Sequence, residues 1–315
     1  MINTSSTTGS VPVEFEYVTC DQCGSDDTSS IFEGDDYLKC RTDKFRIVKC
    51  NNCGLVYLNP RPTQQTISCF YPEGYLPFTD KKNGIADRVK SVLIKNDVRR
   101  IKKNINRQNL KILEIGCANG SYLSQLEKLG KFEVTGIELS PSTANYARNT
   151  YKLNVITGTI FDGNFQDCSF DVIIMRYVLE HVCNPSETIR EIHRILKKDG
   201  IFFFIIPNIK SIEVAIFNKY WPGWDLPRHL YDFSPDSISL MLEKNGFQNI
   251  KISYQSIPNN WISGIKNFYS DQKYKKISNI FFSLDNTFLL VSFFPISYVA
   301  SLLHISGRIS IIAKK

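Results

Sequence analysis

The residues of this 315-residue chain whose types and spacing could do chemistry fall into two constellations. In the first, Cys20-Asp-Gln-Cys23-Gly24 and Cys50-Asn-Asn-Cys53-Gly54 pair thiols two residues apart, with glycine after each pair. Both sulfurs of such a pair can reach one tetrahedral ion, the glycine supplies the turn, and four thiolates close the shell against substrate. The expected role of Cys20, Cys23, Cys50 and Cys53 is therefore to hold a structural zinc in a zinc ribbon. Cys40 lies between the pairs and is the alternative ligand; a redox role fits less well, because neither pair opens a helix after a strand. The second constellation runs from Lys111-Ile-Leu-Glu114-Ile-Gly116-Cys117-Ala118-Asn-Gly120 to Val134-Thr-Gly-Ile-Glu138. It reads as a buried parallel strand (Ile112, Leu113, Ile115), a glycine-bearing loop, and a helix patterned by Tyr122, Leu123, Leu126 and Leu129. A loop so placed turns its backbone toward a ligand at the helix N-terminus. Glu138 ends the next strand, about 20 residues on, where a carboxylate can accept both hydroxyls of a ribose.

A dinucleotide fingerprint would need G-x-G-x-x-G, but Ala118 holds the middle position and the spacing is Gly116-x-x-x-Gly120. No Walker lysine with a Ser/Thr partner follows, so phosphate is a poor ligand for this loop. Glu114, a carboxylate at the end of a hydrophobic strand, suits a positively charged ligand, and S-adenosylmethionine is charged on its ammonium and its sulfonium. Taken in order, Glu114 to Gly120, Glu138, Phe170-Asp171-Val-Ile-Ile-Met175, Val178-Leu-Glu-His-Val182 and Ile195-Leu-Lys-Lys-Asp-Gly200 resemble the successive motifs of class I S-adenosylmethionine-dependent methyltransferases. The resemblance implies that Glu114 and the backbone of Gly116, Cys117, Ala118 and Gly120 meet the methionine end of the cofactor, and that Glu138 meets its ribose. It also implies that Thr159 and Ile160 flank the adenine, and that Met175 and Arg176 line the sulfonium side. Ala118 stands where the family usually has glycine.

The fold expected is α/β: a Rossmann-like, seven-stranded class I sheet with an N-terminal zinc ribbon and a helical apolar insertion before the last strand. We divide the chain into a zinc ribbon module at 1–70, a basic helical linker at 71–108, and the methyltransferase domain at 109–315, with 255–306 as the insertion. With 43% hydrophobic and 22% charged residues the chain reads as globular. Met1 to Ser10 carries no basic n-region and no apolar core, so a cytoplasmic location is expected and the nine cysteines should be reduced. Cys69, Cys117, Cys168 and Cys183 are read as small apolar fillers. Leu55 to Pro62 resembles the exit of the zinc module in methyltransferases of sugar and cell-envelope biosynthesis. Ile85, Val89, Val92, Leu93, Val98 and Ile101 give the linker a helical period, as a solvated helix covering the domain edge.

Acceptor-side residues should follow the fourth and fifth strands, because ligands of open parallel sheets bind beyond the carboxyl ends of the strands. Glu180-His181-Val182 is expected to begin a helix there. Between Tyr220 and Ser234, aromatic rings alternate with Asp225, Arg228 and His229, the composition of a binding lid. Arg228 to Ser234 resembles the His-containing element of zinc-bearing sugar methyltransferases, with Arg228 in place of their glutamate; the resemblance makes His229 the general base and Tyr231 its orienting partner. His193 is expected at the surface. Thr287 to Leu303 is nearly all apolar but is divided by Pro295 and is short for a membrane span; Lys266, Lys273, Lys275 and Lys276 before it suit peripheral contact with an anionic membrane through 266–305, and packing as a helical pair on the domain or a dimer contact is the equal alternative. The leading function is methylation of a small molecule: a sugar nucleotide, lipid-linked sugar or other envelope metabolite. Net charge +7 and the zinc ribbon raise an RNA methyltransferase as the alternative, but the charge is spread and Met175-Arg-Tyr177 follows strand four where a base-amine motif would stand, so nucleic acid is not the expected partner. A non-enzymatic scaffold is the third reading.

Overall fold

The computed structural model describes residues 13–38, 43–71, 84–271, 282 and 286–315. Cys40, the N-terminal decapeptide, and Lys273, Lys275 and Lys276 lie outside the described residues, as do the side chains of Ile85 and Val89. In chain order the strands are β1 (Phe15–Glu16), β2 (Thr28–Asp35), β3 (Lys44–Cys50), β4 (Val56–Leu58), β5 (Arg61–Pro62), β6 (Lys111–Ile115), β7 (Glu133–Glu138), β8 (Asn154–Thr157), β9 (Phe170–Arg176), β10 (Leu196–Pro207), β11 (Tyr231–Asp232), β12 (Gln248–Tyr254) and β13 (Arg308–Lys314). The helices are α1 (Gly84–Asn104), α2 (Ser121–Gly130), α3 (Pro141–Tyr151), α4 (Pro185–Ile195), α5 (Ile212–Phe217), α6 (Pro235–Lys244), α7 (Pro258–Asp271) and α8 (Thr287–Leu302).

The expected seven-stranded sheet is present, in the order β12-β13-β10-β9-β6-β7-β8, with β13 antiparallel to both of its neighbours. Its central strands are apolar on both faces because helices cover both. Along β10, Phe202, Phe204 and Ile206 enter one core, while Ile201, Phe203 and Ile205 enter the other. The same alternation runs through β9 and decides what reaches the crevice at its end. Met175 joins Ile173 on the first face, and Arg176, one residue on, falls on the face of Glu114 and α2.

α4 buries Ile189, Ile192 and Ile195 at helical spacing, and α6 is opened by a reciprocal capping box between Ser234 and Ser237. α1 is helical as expected but is turned differently: Val92 and Leu93 are exposed, and the buried seam is Ile94, Val98 and Ile101, continued by Ile105. That seam packs into the second core, so α1 is a wall of the catalytic unit and more than a solvated linker.

The cysteine-bearing module is a hairpin, β2–β3, extended by β4. β11, contributed by residues 231–232, completes this sheet in the order β11-β4-β3-β2, so its architecture does not stop at residue 70. Phe45, Ile47 and Tyr57 of the module and Phe202 and Phe204 of the large sheet belong to one continuous core. Asp21 of the first knuckle accepts from the Ser186 N–H at 2.9 Å, which seats a carboxylate on the N-terminal turn of α4.

Between β12 and β13 the expected insertion is a helical pair, α7 against α8. Among the described residues no helix is long and apolar enough to cross a membrane. Cys168 is exposed, contrary to its expected role as a filler, and His193 is partly buried with its ring 5.1 Å from that of Phe247.

Candidate active site

The loop between β6 and α2 owes its shape to residues at positive φ: Gly116 at 71°, Ala118 at 48° and Gly120 at 79°. A side chain at Gly116 would place its Cβ 2.4 Å from a Val178 methyl, and one at Gly120 would meet Leu153 at 2.7 Å, so both glycines are required sterically as well as conformationally. Ala118 adopts the left-handed conformation at a cost of about 1 to 2 kcal/mol. Its N–H donates to Glu138 Oε2 at 3.0 Å, and the Ser140 N–H donates to Glu138 Oε1 at 2.9 Å. Glu138 is thereby fixed in orientation while each oxygen keeps a lone pair for a ligand hydroxyl.

Glu114, Gly116, Cys117, Ala118, Asn119, Tyr122, Arg176 and Tyr177 line one crevice at the carboxyl ends of β6 and β9. The Arg176 guanidinium lies 3.8 Å from the centre of the Tyr122 ring, and the enclosed space measures about 30 Å³. Glu114 Oε2 and Arg176 Nε are both buried without a hydrogen-bond partner, a carboxyl and a guanidinium facing the same crevice. Burial, reinforced by Glu138 and Asp97 and opposed by Arg176, pushes the Glu114 carboxyl up to about 8. Asp97, on α1, accepts from the Tyr122 hydroxyl at 3.0 Å and so sets the crevice floor. Its signal in the sequence is an acid on the apolar seam of a Lys/Arg-rich helix.

Met175 and Ile160 stand apart from this crevice. Both side chains are buried in the first core, Met175 because strand alternation sends it to the opposite face from Arg176. Thr159 is partly exposed, with its N–H and its hydroxyl each 2.7 Å from Asp162 Oδ2.

A second cluster, beyond the end of β9, is assembled from distant segments. Leu179–His181 forms a short 3-10 turn, and the following helix starts only at Pro185, so Glu180 and His181 precede α4 and do not open it. The lid returns through this turn: the Leu230 N–H donates to the Glu180 carbonyl at 2.8 Å, and the Leu58 N–H donates to the Leu230 carbonyl at 3.0 Å. His181 Nδ1 donates to the Arg228 carbonyl at 2.9 Å, and His229 Nδ1 donates to the Gly223 carbonyl at 2.7 Å. A carbonyl only accepts, so Nδ1 carries the proton in both rings and Nε2 keeps the lone pair. The two rings lie edge to face, 4.6 Å apart. Burial lowers both histidines, His181 to about 3, and raises Glu180 to about 8. Neither carboxylate oxygen of Glu180 or of Asp232 meets a donor on another residue, although both groups are buried.

Arg228, fully buried, holds this half together. Its guanidinium donates to Asp36 Oδ1 of the cysteine module at 3.0 Å, to Asp225 Oδ1 at 2.8 Å and to the Phe70 carbonyl at 2.8 Å. Tyr231 is not beside His229 as its expected partner. It sits on β11, its hydroxyl 3.1 Å from both Arg61 Nη1 and the Cys183 carbonyl, because pairing with β4 turns the strand toward the module.

The four knuckle cysteines do converge. Their sulfurs lie within 4.8 Å of one another, with Cys20 Sγ 3.4 Å from Cys53 Sγ and Cys23 Sγ 3.5 Å from Cys50 Sγ. Gly24 and Gly54, at φ 75° and 78°, turn each knuckle back so that its N–H donates to the carbonyl of the first cysteine. Four sulfurs around an ion at about 2.3 Å would stand roughly 3.8 Å apart, so the donor set fits tetrahedral zinc.

Comparison with known proteins identifies the family. The family described as a methyltransferase domain matches residues 87–252, more than half of the chain. A ubiquinone biosynthesis O-methyltransferase of Rickettsia bellii is 30% identical over 184 residues, covering 54% of this chain and 75% of that protein. A demethylmenaquinone methyltransferase of Chlorobaculum tepidum is 25% identical over 151 residues, covering 44% and 62% respectively. Among solved structures, a SAM-dependent methyltransferase from Archaeoglobus fulgidus aligns with a TM-score of 0.48 and 19% identity, over 71% of this chain and 94% of that one. The matching residues include the whole glycine loop, Glu138 and the end of β9, and the chain belongs to the methyltransferase-domain family as an S-adenosylmethionine-dependent enzyme.

Proposed function

We propose that the enzyme methylates a hydroxyl of a small, polyhydroxylated acceptor, the sugar portion of a nucleotide sugar, lipid-linked sugar or related envelope metabolite. The carrying observation is the convergence of Glu180 and His181, on the turn after β9, with His229 of the lid: a buried carboxyl and two imidazoles that each keep a free Nε2 lone pair, close in sequence to Val178, which packs on Gly116. The cofactor's ammonium would meet Glu114, its carboxylate Arg176 once that side chain leaves Tyr122, and its ribose Glu138, with Thr159 on the adenine side. The acceptor oxygen attacks the methyl carbon in line, the carbon–sulfur bond breaks with its electron pair on sulfur, and the hydroxyl proton is lost at the Glu180–His181–His229 cluster. His229 keeps its expected place in that cluster; Tyr231 is a strut. Cys20, Cys23, Cys50 and Cys53 hold a structural zinc.

A quinol-type hydroxyl is the second reading, favoured by the names of the relatives in ubiquinone and menaquinone biosynthesis. Transfer from methyl-labelled cofactor to a panel of nucleotide sugars and a panel of catechols decides between them. Label only in catechols would remove the sugar reading, and label in neither would remove both.

Peripheral contact with an anionic membrane through 266–305 is supported by the outer face of α8, where Phe288 is 76% and Val291 66% exposed. Flotation with anionic liposomes tests it: protein that stays at the bottom of the gradient has no such contact.

A further inference from the structure

Glu180, His181 and His229 each offer a ligand atom, all within 4.8 Å of one another, and we infer that they form a second metal centre, for a divalent first-row transition cation. The inference rests on the proposed reading only in placing the acceptor there; binding of the cation does not depend on it.

Glu180 is 1% exposed, with neither oxygen bonded to another residue, a cost that a buried carboxylate carries only with a counter-charge or a chemical role. Each histidine is fastened through Nδ1 to a backbone carbonyl, of Arg228 for His181 and of Gly223 for His229. That is the arrangement that orients metal-bound imidazoles, since the carbonyl fixes the tautomer and aims Nε2 away from itself. Two imidazoles and one carboxylate suit manganese, iron or zinc; magnesium and calcium favour all-oxygen shells. Ligand atoms of one such cation stand about 3 to 4 Å apart, so small rotations of the three side chains close the observed span. The site is distinct in kind from the four thiolates, which select soft tetrahedral coordination.

With three protein ligands the cation keeps open positions, and His181 is partly exposed, which leaves a way in for a hydroxyl. An acceptor hydroxyl on the cation would lose its proton to water more readily, and the resulting oxyanion would attack the methyl carbon as the carbon–sulfur bond breaks with its electron pair left on sulfur. In that state His229 is a ligand.

The test uses the full chain loaded with one equivalent of zinc, so that the cysteine site is filled. Manganese(II) is titrated in and followed by electron paramagnetic resonance. The expected result is one bound manganese per chain with nitrogen couplings from imidazole, weakened at least about tenfold in Glu180→Gln and in His229→Ala. Manganese that stays free in the wild-type protein, or binds without imidazole coupling, overturns the inference, whether or not the variants fold. Binding that both folded variants retain unchanged overturns it as well. Bound manganese in an enzyme that methylates no hydroxyl would instead remove the proposed acceptor reading and leave the metal centre standing.

Discussion

The cofactor crevice and the acceptor cluster lie next to each other on the sheet but are built on opposite plans. The crevice comes mostly from one continuous stretch, Lys111 to Glu138, whose loop is shaped by backbone conformation and whose two carboxylates are held by strand ends. The cluster comes from Asp36, Phe70, Glu180, His181 and the 223–232 lid, tied by side chains and carbonyls across the whole chain. The first plan draws on fewer long-range ties than the second. The contrast is that the cysteine module frames the proposed acceptor side through Arg228 and Asp36, while the proposed cofactor side is shaped mainly by its own loop.

Breaking the module should therefore separate the two regions. Cys20→Ser/Cys50→Ser is expected to lower turnover at least about 100-fold through misplacement of the lid, while cofactor affinity stays within about threefold. Parallel turnover and calorimetric measurements check this, and an equal loss in both would erase the contrast. Attacking the other region, Glu114→Gln should weaken S-adenosylmethionine about 30-fold, the value of about 2 kcal/mol for one charge-assisted hydrogen bond. Equilibrium dialysis checks it, with thermal unfolding of the uncomplexed protein to confirm the fold.

The raised Glu114 carboxyl sharpens the comparison through pH. Without cofactor this group titrates at about 8, and an ammonium beside it favours the ionised form, so binding at lower pH releases a proton. Affinity should rise with pH between about 5.5 and 7.5, by up to about tenfold per unit, and the slope should vanish in Glu114→Gln. The smallest effect is expected at Ala118→Gly, where relief of the left-handed strain, partly offset by the entropy of glycine, should stabilise the fold by less than about 1 kcal/mol. A thermal melt reads it, and cofactor affinity should move less than threefold.

The same contrast explains what could be read from the chain before folding. The seven-stranded sheet, the glycine loop, Glu138 and the converging cysteine pairs were legible because each is encoded within a few dozen residues by hydrophobic period and fixed spacing. Met175 and Ile160 were misplaced by the alternation of strands and loop ends, where one residue decides which face a side chain enters. Tyr231 was misassigned because its environment is set by β4, some 170 residues earlier in the chain, and no local pattern records that pairing. Asp232 escapes the sequence for the same reason, since an acid in a two-residue strand looks solvated until tertiary packing buries it, whereas Asp97 leaves a local trace as an acid on the apolar seam of a basic helix.

The central claim is that a sulfonium-bearing nucleoside is held between Glu114, Glu138 and the loop joining them. Isothermal titration of S-adenosylmethionine into the 315-residue chain at about pH 7, in two buffers of different ionisation enthalpy, tests it most directly. Saturable one-to-one binding with net release of a proton is predicted for the wild type, and no proton release for Glu114→Gln. No binding heat in either buffer, with the fold intact, would contradict the account.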